Sequence, residues 1–154
     1  NMIYNHELKL NSNKYLQINK DLIPTGKTKS IKNSIYDFLK FQNLGKKLNF
    51  FKNKKIDLKH KGFDTTYIVK KNSRNFVGSL KNNNSNVQVD FFSNLPGVQL
   101  YSAQNLNYKK KLFPYQGICL ETQYFPDTPN KKNFPSTLIK ANKRYTCFTK
   151  IKIY

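Results

Sequence analysis

The residue best placed to do chemistry in this sequence is a single glutamate. Glu121 lies in the run GICLETQYF, residues 117–125, among apolar and neutral neighbours. In a strand, alternation would place Cys119, Gln123 and Phe125 on the same face as Glu121. A carboxylate in such surroundings loses hydration, binds a proton more readily and can act as a general base near neutral pH. An exposed strand carboxylate paired with one of the many lysines is an equally good interpretation.

Two further polar residues lie at comparable positions. Gln99, in LPGVQLY, is predicted to point away from Val98 and Leu100, together with Tyr101. Its amide both donates and accepts hydrogen bonds, as sugar hydroxyls require, although a solvated strand residue is the simpler interpretation. Asp64, in KGFDTTYIV, stands at the entry to a predicted strand. It is either an aspartate that caps a turn or a carboxylate that binds hydroxyl groups.

The histidines and cysteines do not indicate a familiar catalytic set. His6 lies on the apolar face of a predicted strand, which favours a packed, hydrogen-bonded ring, and His60 lies among lysines in a predicted loop. Cys119 and Cys147 lack CxxC spacing and are expected to be free thiols. The sequence contains no Ser–His–Asp set, no phosphate-binding glycine loop and no metal-ligand spacing. We therefore expect neither a metal nor a cofactor.

The charge and composition of the chain indicate which kinds of partner it is expected to bind. The 154 residues are expected to form one domain, and the net charge is +20, from 28 Lys and Arg against 8 Asp and Glu. Arginine, which phosphate-binding proteins favour, occurs only at positions 74 and 144. The abundance of Lys, Asn, Ile, Tyr and Phe indicates a codon-biased, solvated surface, so a specific nucleic-acid-binding protein is the less favoured alternative. With no membrane-length apolar run and no signal-peptide pattern, we expect a cytoplasmic location.

Short strand-like runs dominate the rest of the sequence. β-Branched and aromatic residues predict strands in YNHELKL, KYLQIN, TTYIVKK, NFVGSLK, NVQVDFF, PGVQLY, GICLETQYF and RYTCFTKIKIY, the last of them long and half-buried. Pro24 and Gly26 predict a turn, KNNNSN predicts a hairpin turn, and residues 31–60 are irregular with room for a short helical turn. This pattern is typical of an all-β sandwich or barrel.

Six pieces of the sequence carry a family resemblance. In order they are NHELKL, DLIPTGK, IYDFLK, KGFD, LPGVQLY and GICLETQYFPDTPNKKNFP. Together they cover nearly the whole chain and resemble the C-terminal half of the aldose 1-epimerase, or galactose mutarotase, family. The last piece is the most specific. The resemblance implies an antiparallel β-sandwich, the galactose mutarotase-like supersandwich, with residues 1–154 as an incomplete C-terminal portion of a single domain.

The resemblance also implies an activity, the interconversion of the α and β anomers of aldohexoses such as glucose and galactose. In this family a glutamate takes the proton of the C1 hydroxyl while a histidine protonates the ring oxygen. The family's glutamate matches Glu121, and its hydroxyl-binding aspartate and glutamine match Asp64 and Gln99. Glu121 is therefore expected to be the base, held in a cleft with little water.

The sequence also departs from the family pattern. The family's acid histidine belongs to a stretch that would precede Asn1, so His6 does not match it, and Thr65 replaces a histidine of the Gly-Phe-Asp-His-Asn motif. Half a sandwich would leave sheet edges unpaired and an apolar face open. We therefore expect a missing N-terminal half or a second chain as partner, and weak activity of this chain alone. The alternative within the same fold is a carbohydrate-binding remnant without chemistry.

Overall fold

The computed structural model describes residues 2–52, 61–82, 84–109 and 111–154. Ten strands and one longer helix account for most of the regular structure in these ranges. The strands are β1 His6–Leu10, β2 Ser12–Ile18, β3 Pro24–Ser30, β4 Gln42–Asn43, β5 Asp64–Val69, β6 Phe76–Asn82, β7 Val87–Ser93, β8 Gly97–Tyr101, β9 Cys119–Gln123 and β10 Thr149–Ile153. The helix is α1 Leu44–Lys52.

The strands form two five-stranded sheets. The first sheet has the order β10-β7-β6-β1-β4 and the second has the order β3-β2-β5-β8-β9. Every pairing between neighbouring strands is antiparallel. The prediction of an all-β antiparallel sandwich is therefore confirmed.

The core lies between the two sheets. The alternation of apolar and polar residues along each strand directs the apolar ones inward. Fully or nearly fully buried side chains come from the first sheet (Leu8, Leu10, Val77), from the second sheet (Tyr67, Val98, Leu100) and from the connections (Ile31, Phe38, Phe63). Because each such side chain contributes roughly 1.5–3 kcal/mol of burial free energy, this layer holds the sheets face to face.

Helix α1 closes one side of the core. The Asn43 side chain accepts a hydrogen bond from the Lys46 backbone N–H at 2.9 Å and so caps the helix start. Leu44, Leu48 and Phe51 follow at helical spacing and are buried in the core. The irregular stretch 31–60 thus contains a nine-residue helix where the sequence indicated room for only a short helical turn. No helix within the described residues has the length and apolarity needed to cross a membrane.

The predicted turn at Pro24 and Gly26 is wrong. These residues begin β3, and the reversal occurs before them, at residues 19–23. There the Asn19 side chain accepts the backbone N–H groups of Asp21 and Ile23, at 2.9 and 3.0 Å. An asparagine that binds its own backbone in this way forms the turn without proline or glycine.

The last predicted strand is shorter and more exposed than the sequence indicated. The regular strand covers only Thr149–Ile153, and all five of its residues are exposed. Ile151 and Ile153 pair with Phe91 and Val89 of β7, yet they remain 56% and 73% exposed. The prediction of a half-buried strand is wrong because β10 is the edge of the first sheet. The Thr149 hydroxyl is hydrogen-bonded to that of Thr122 in β9, but all five residues of the strand stay exposed.

Candidate functional site

The three predicted site residues lie on one face of the second sheet. Along β5, β8 and β9, Thr66 pairs with Gln99, and Gln99 pairs with Glu121. Asp64 precedes Thr66 by two residues and therefore lies on the same face. Since Val98 and Leu100, the neighbours of Gln99, enter the core, this polar row faces away from the first sheet.

Hydrogen bonds join the polar row. The Gln99 Nε2 donates to Asp64 Oδ1 at 2.5 Å, and the Thr66 hydroxyl donates to Gln99 Oε1. The Asp64 carboxylate thus bonds a neighbouring strand's side chain, which argues against the turn-capping interpretation. Gln99 is half-buried and bonded on both sides, which argues against a freely solvated strand residue. The amide acts as a clamp that links the two strands.

A buried hydroxyl places Asp64 at the start of β5. The Phe63 backbone N–H donates to Ser102 Oγ at 2.8 Å, and the Ser102 N–H donates to the Phe63 carbonyl at 3.0 Å. The Ser102 hydroxyl in turn donates to Gln104 Oε1 at 2.9 Å. A Cβ on Gly62 would lie 2.5 Å from Ser102 Oγ, so only glycine allows this close approach. The Gly-Phe-Asp sequence is therefore anchored directly beneath the site.

The predicted burial of Glu121 is wrong. Its side chain is exposed, and no described lysine forms an ion pair with it. The exposure follows from the sheet order, because β9 is the edge strand and pairs only with β8 among the described strands. Alternation along one strand predicts which face a residue occupies, but it does not predict how many strands cover its sides. In the described part of the chain, Glu121 lies at an open edge rather than in a dry cleft.

Glu121 nevertheless acts electrostatically on a neighbour. The pKa of the Cys119 thiol is raised, first by burial and then by the negative charge of Glu121. Cys119 is two residues away on the same strand and pairs with Tyr101 across to β8. Neither cysteine forms a disulfide, as expected, so the site contains a neutral thiol next to a carboxylate.

The proline-rich segment after β9 closes one end of the site. Phe125 and Phe134 pack with Leu16 and Ile68 in a second apolar cluster, on the outer face of the second sheet. A Cβ on Gly97 would lie 3.1 Å from the Phe125 ring, so the ring lies directly against β8, two residues before Gln99. The site therefore has an apolar wall on this side and an open edge at β9.

His6, the histidine that the structure describes, does not join this site. His6 lies in the first sheet, where its ring contacts the Ile3 carbonyl at 3.3 Å and Asn82 Nδ2 at 3.2 Å. This confirms the prediction of a packed, hydrogen-bonded histidine. His60 lies outside the described residues. Within the described ranges, no group of three or more His, Cys, Asp or Glu side chains is arranged to hold a metal ion.

Thr66 belongs to the hydrogen-bonded row but was not among the residues predicted for the site. Thr66 bonds Gln99, and its position two residues after Asp64 already put it on the same strand face. Thr65, which stands where the family motif has a histidine, lies on the core face of β5 opposite Leu100 and is buried. The two-residue spacing of Asp64 and Thr66 along a predicted strand was the available signal.

Two solved structures define the class of this fold. An aldose epimerase homologue from C. elegans superimposes with a TM-score of 0.81 over 99% of this chain and 46% of that one, at 19% identity. Galactose 1-epimerase from Lactobacillus acidophilus superimposes with a TM-score of 0.73 over 99% of this chain and 45% of that one, also at 19% identity. The fold is thus that of the aldose-epimerase sandwiches.

The sequence comparison gives the family. The sequence model of aldose 1-epimerase matches residues 1–152, and the chain belongs to this family. Galactose mutarotase from Bos taurus is 31% identical over 151 residues, covering 93% of this chain and 42% of that protein. Aldose 1-epimerase from Escherichia coli K12 is 23% identical over 156 residues, covering 96% of this chain and 44% of that protein. The chain thus spans less than half the length of these relatives.

Proposed function

We propose that this chain supplies the base and two sugar-binding groups of an aldose 1-epimerase that acts on aldohexoses such as glucose and galactose. One observation carries the proposal. Gln99 is bonded to Asp64 and stands opposite Glu121, so the three residues matched to the family's site share one solvent-facing surface. Family membership over residues 1–152 supports the same activity class.

Glu121 is the group best suited to be the base. Its carboxylate is exposed and forms no ion pair with a described lysine, so a sugar hydroxyl can approach it. In the proposed reaction it takes the proton of the C1 hydroxyl while an acid protonates the ring oxygen. The C1–O5 bond breaks to give the open-chain aldehyde, rotation about C1–C2 turns the carbonyl, and reclosure returns both protons with the opposite configuration at C1.

Asp64 and Gln99 are proposed to hold the sugar. Asp64 Oδ1 accepts from Gln99, which leaves Oδ2 for a sugar hydroxyl, and Gln99 keeps its second N–H. The site therefore presents acceptors and one donor, a set that suits neutral hydroxyl groups. Two carboxylates on the same face would repel a phosphorylated or acidic sugar.

The acid is proposed to come from outside this chain. His6 belongs to the other sheet and is engaged by Ile3 and Asn82. The open edge at β9 and the partial coverage of the relatives both support a further segment or a second chain that completes the site beside Glu121. Such a partner would also exclude water from the carboxylate. General acid catalysis contributes roughly 10²–10⁴-fold, so we expect little activity without it.

A polarimetric experiment tests both parts of the proposal. The chain alone should equilibrate freshly dissolved α-glucose at close to the buffer rate, and a rate far above buffer would show that the acid lies within it. For the base, residues 1–152 would replace the matching region of the Bos taurus galactose mutarotase. In this chimera Glu121→Gln should remove most turnover, whereas Glu7→Gln, a carboxylate on the other sheet paired with Lys81, should not. Normal turnover with Glu121→Gln would show that the base is another residue.

A second candidate is a carbohydrate-binding protein of the same fold without chemistry. The exposure of Glu121 favours it, because a base in open solvent has little catalytic advantage. Calorimetric titration with glucose and galactose distinguishes the two proposals. Sugar binding that disappears in Asp64→Asn, together with an inactive chimera, would support the binding protein and exclude the epimerase.

A further inference from the structure

We propose that Thr66 is a positioning residue that fixes the side-chain amide of Gln99 and, through it, the Asp64 carboxylate. This inference rests on the proposed function of the same site. The Thr66 hydroxyl donates to Gln99 Oε1, and Gln99 Nε2 donates to Asp64 Oδ1 at 2.5 Å. The three side chains form a continuous hydrogen-bonded chain across β5 and β8.

The chemistry of the three groups determines the direction of this chain. An ionised aspartate only accepts hydrogen bonds, so the nitrogen of the Gln99 amide has to face Asp64. The amide oxygen then faces Thr66, and the hydroxyl has to donate to it. A hydroxyl that donates to an amide oxygen polarises the amide and strengthens the bond that its N–H makes beyond. Thr66 thereby acts on Asp64 without touching it.

Burial makes the hydroxyl difficult to replace. Thr66 is only 5% exposed, and Ile68, two residues further along β5, packs with Leu16, Phe125 and Phe134 in the second apolar cluster. Water therefore has little access to the side of Gln99 that faces Thr66. Without the hydroxyl, the amide oxygen would have no partner there and the amide could rotate away from Asp64.

The fixed orientation of the Gln99 amide determines which atoms remain available to bind a sugar. Among the described residues, the fixed amide leaves one Gln99 N–H and Asp64 Oδ2 uncommitted, a donor and an acceptor held side by side. Two neighbouring hydroxyls of a pyranose can use such a pair, because one accepts while the other donates. A freely rotating amide would present this donor–acceptor pair only part of the time. The apparent affinity for the sugar is the intrinsic affinity multiplied by the fraction of time for which the pair is present.

Two variants of the 154-residue chain separate positioning from mere packing. Thr66→Val keeps the shape and the strand preference but removes the hydroxyl, whereas Thr66→Ser keeps the hydroxyl. The first measurement is the Gln99 side-chain NH₂ signal in a ¹⁵N-correlated spectrum of the free protein, assigned by its loss in Gln99→Glu. The second is the dissociation constant of glucose or galactose from calorimetry.

We expect two well-separated NH₂ protons in the wild type and in Thr66→Ser. In Thr66→Val they should move toward the values of a free glutamine side chain, and the sugar dissociation constant should rise about tenfold. Unchanged NH₂ signals in Thr66→Val, or a Thr66→Ser variant that behaves like Thr66→Val, would overturn the inference. If the chimera with the Bos taurus galactose mutarotase neither binds nor turns over either sugar, the proposed function fails, and the NH₂ signals of the free protein still decide the role of Thr66.

Discussion

The serine beneath the site offers the most direct test of how this fold positions Asp64. Ser102 is completely buried, and its hydroxyl accepts from the Phe63 N–H at 2.8 Å and donates to Gln104 Oε1 at 2.9 Å. Ser102→Ala removes one oxygen atom and leaves both of those groups in the interior without that partner. The substitution therefore probes the anchor of Asp64 without altering any residue that faces solvent.

The expected loss of stability follows from the two buried groups that lose the serine hydroxyl as a hydrogen-bond partner. A buried donor or acceptor left without a partner costs about 1–3 kcal/mol. The Gln104 side chain can reduce its part of this cost by rotating toward another partner. We expect Ser102→Ala to lower the free energy of unfolding by about 2–4 kcal/mol. With a urea m-value of about 2 kcal/mol/M, the unfolding midpoint should fall by about 1–2 M.

Urea unfolding followed by circular dichroism measures this shift. Ser136→Ala is the matched control, because Ser136 is exposed and its hydroxyl only accepts the Leu138 N–H at 3.1 Å. The control should stay within about 0.5 kcal/mol of the wild type. Amide hydrogen exchange adds a local measurement, since the Phe63 N–H should exchange faster in Ser102→Ala. If Ser102→Ala unfolds at the midpoint of the control and protection of Phe63 is unchanged, the hydroxyl is not the anchor.

Three further predictions concern neighbouring groups. Gly62→Ala should lower the unfolding midpoint by an amount equivalent to about 1–3 kcal/mol, because its Cβ would lie 2.5 Å from the serine hydroxyl, and the loss should shrink when that hydroxyl is also removed. Tyr67→Phe should be at least as stable as the wild type in urea, since the buried Tyr67 hydroxyl lacks a described hydrogen-bond partner. Burial also raises the pKa of Tyr67 well above its usual 10.0, so only the unfolded chain ionises there at first, and the variant should lose less stability as the pH rises above that value. In a Cys147→Ser background, Glu121→Gln should lower the pKa of Cys119, because the negative charge that raises it is removed. Alkylation of this thiol by iodoacetamide should therefore begin at a lower pH. An unchanged pH profile of alkylation would show that Glu121 does not act on Cys119.

The positions of the site residues could be predicted because they depend on local alternation. Gln99 and Glu121 lie in short runs where apolar and polar residues largely alternate, and Asp64 stands at the start of a run rich in β-branched and aromatic residues. Each run forms the expected strand. The side of the strand on which a residue lies then follows from its place in the run. The family motifs supplied the proposed roles of these residues, and they also supplied the fold class, which alternation alone leaves open between a sandwich and a barrel.

The remaining features depend on contacts between distant parts of the chain. The exposure of Glu121 follows from the position of β9 at the edge of its sheet. The order of strands in a sheet cannot be predicted from the residues of any single strand. The bond between Thr66 and Gln99 joins residues 33 positions apart and requires the register of β5 against β8. The turn at Asn19 was not predicted, because proline and glycine are the usual signals of a turn and they lie at least five residues further along the chain.

The exposed edge strand β10 has a consequence for the behaviour of the protein in solution. Its isoleucines Ile151 and Ile153 are open to solvent, while Lys150 and Lys152 extend from the opposite face of the strand toward Phe92. Lysines on an edge strand oppose the approach of a second copy, since like charges repel and ammonium groups resist dehydration. Electrolyte weakens that repulsion and strengthens the attraction between the apolar side chains. Dispersed molecules should therefore prevail in dilute buffer, and raising the ionic strength should promote clustering through this strand.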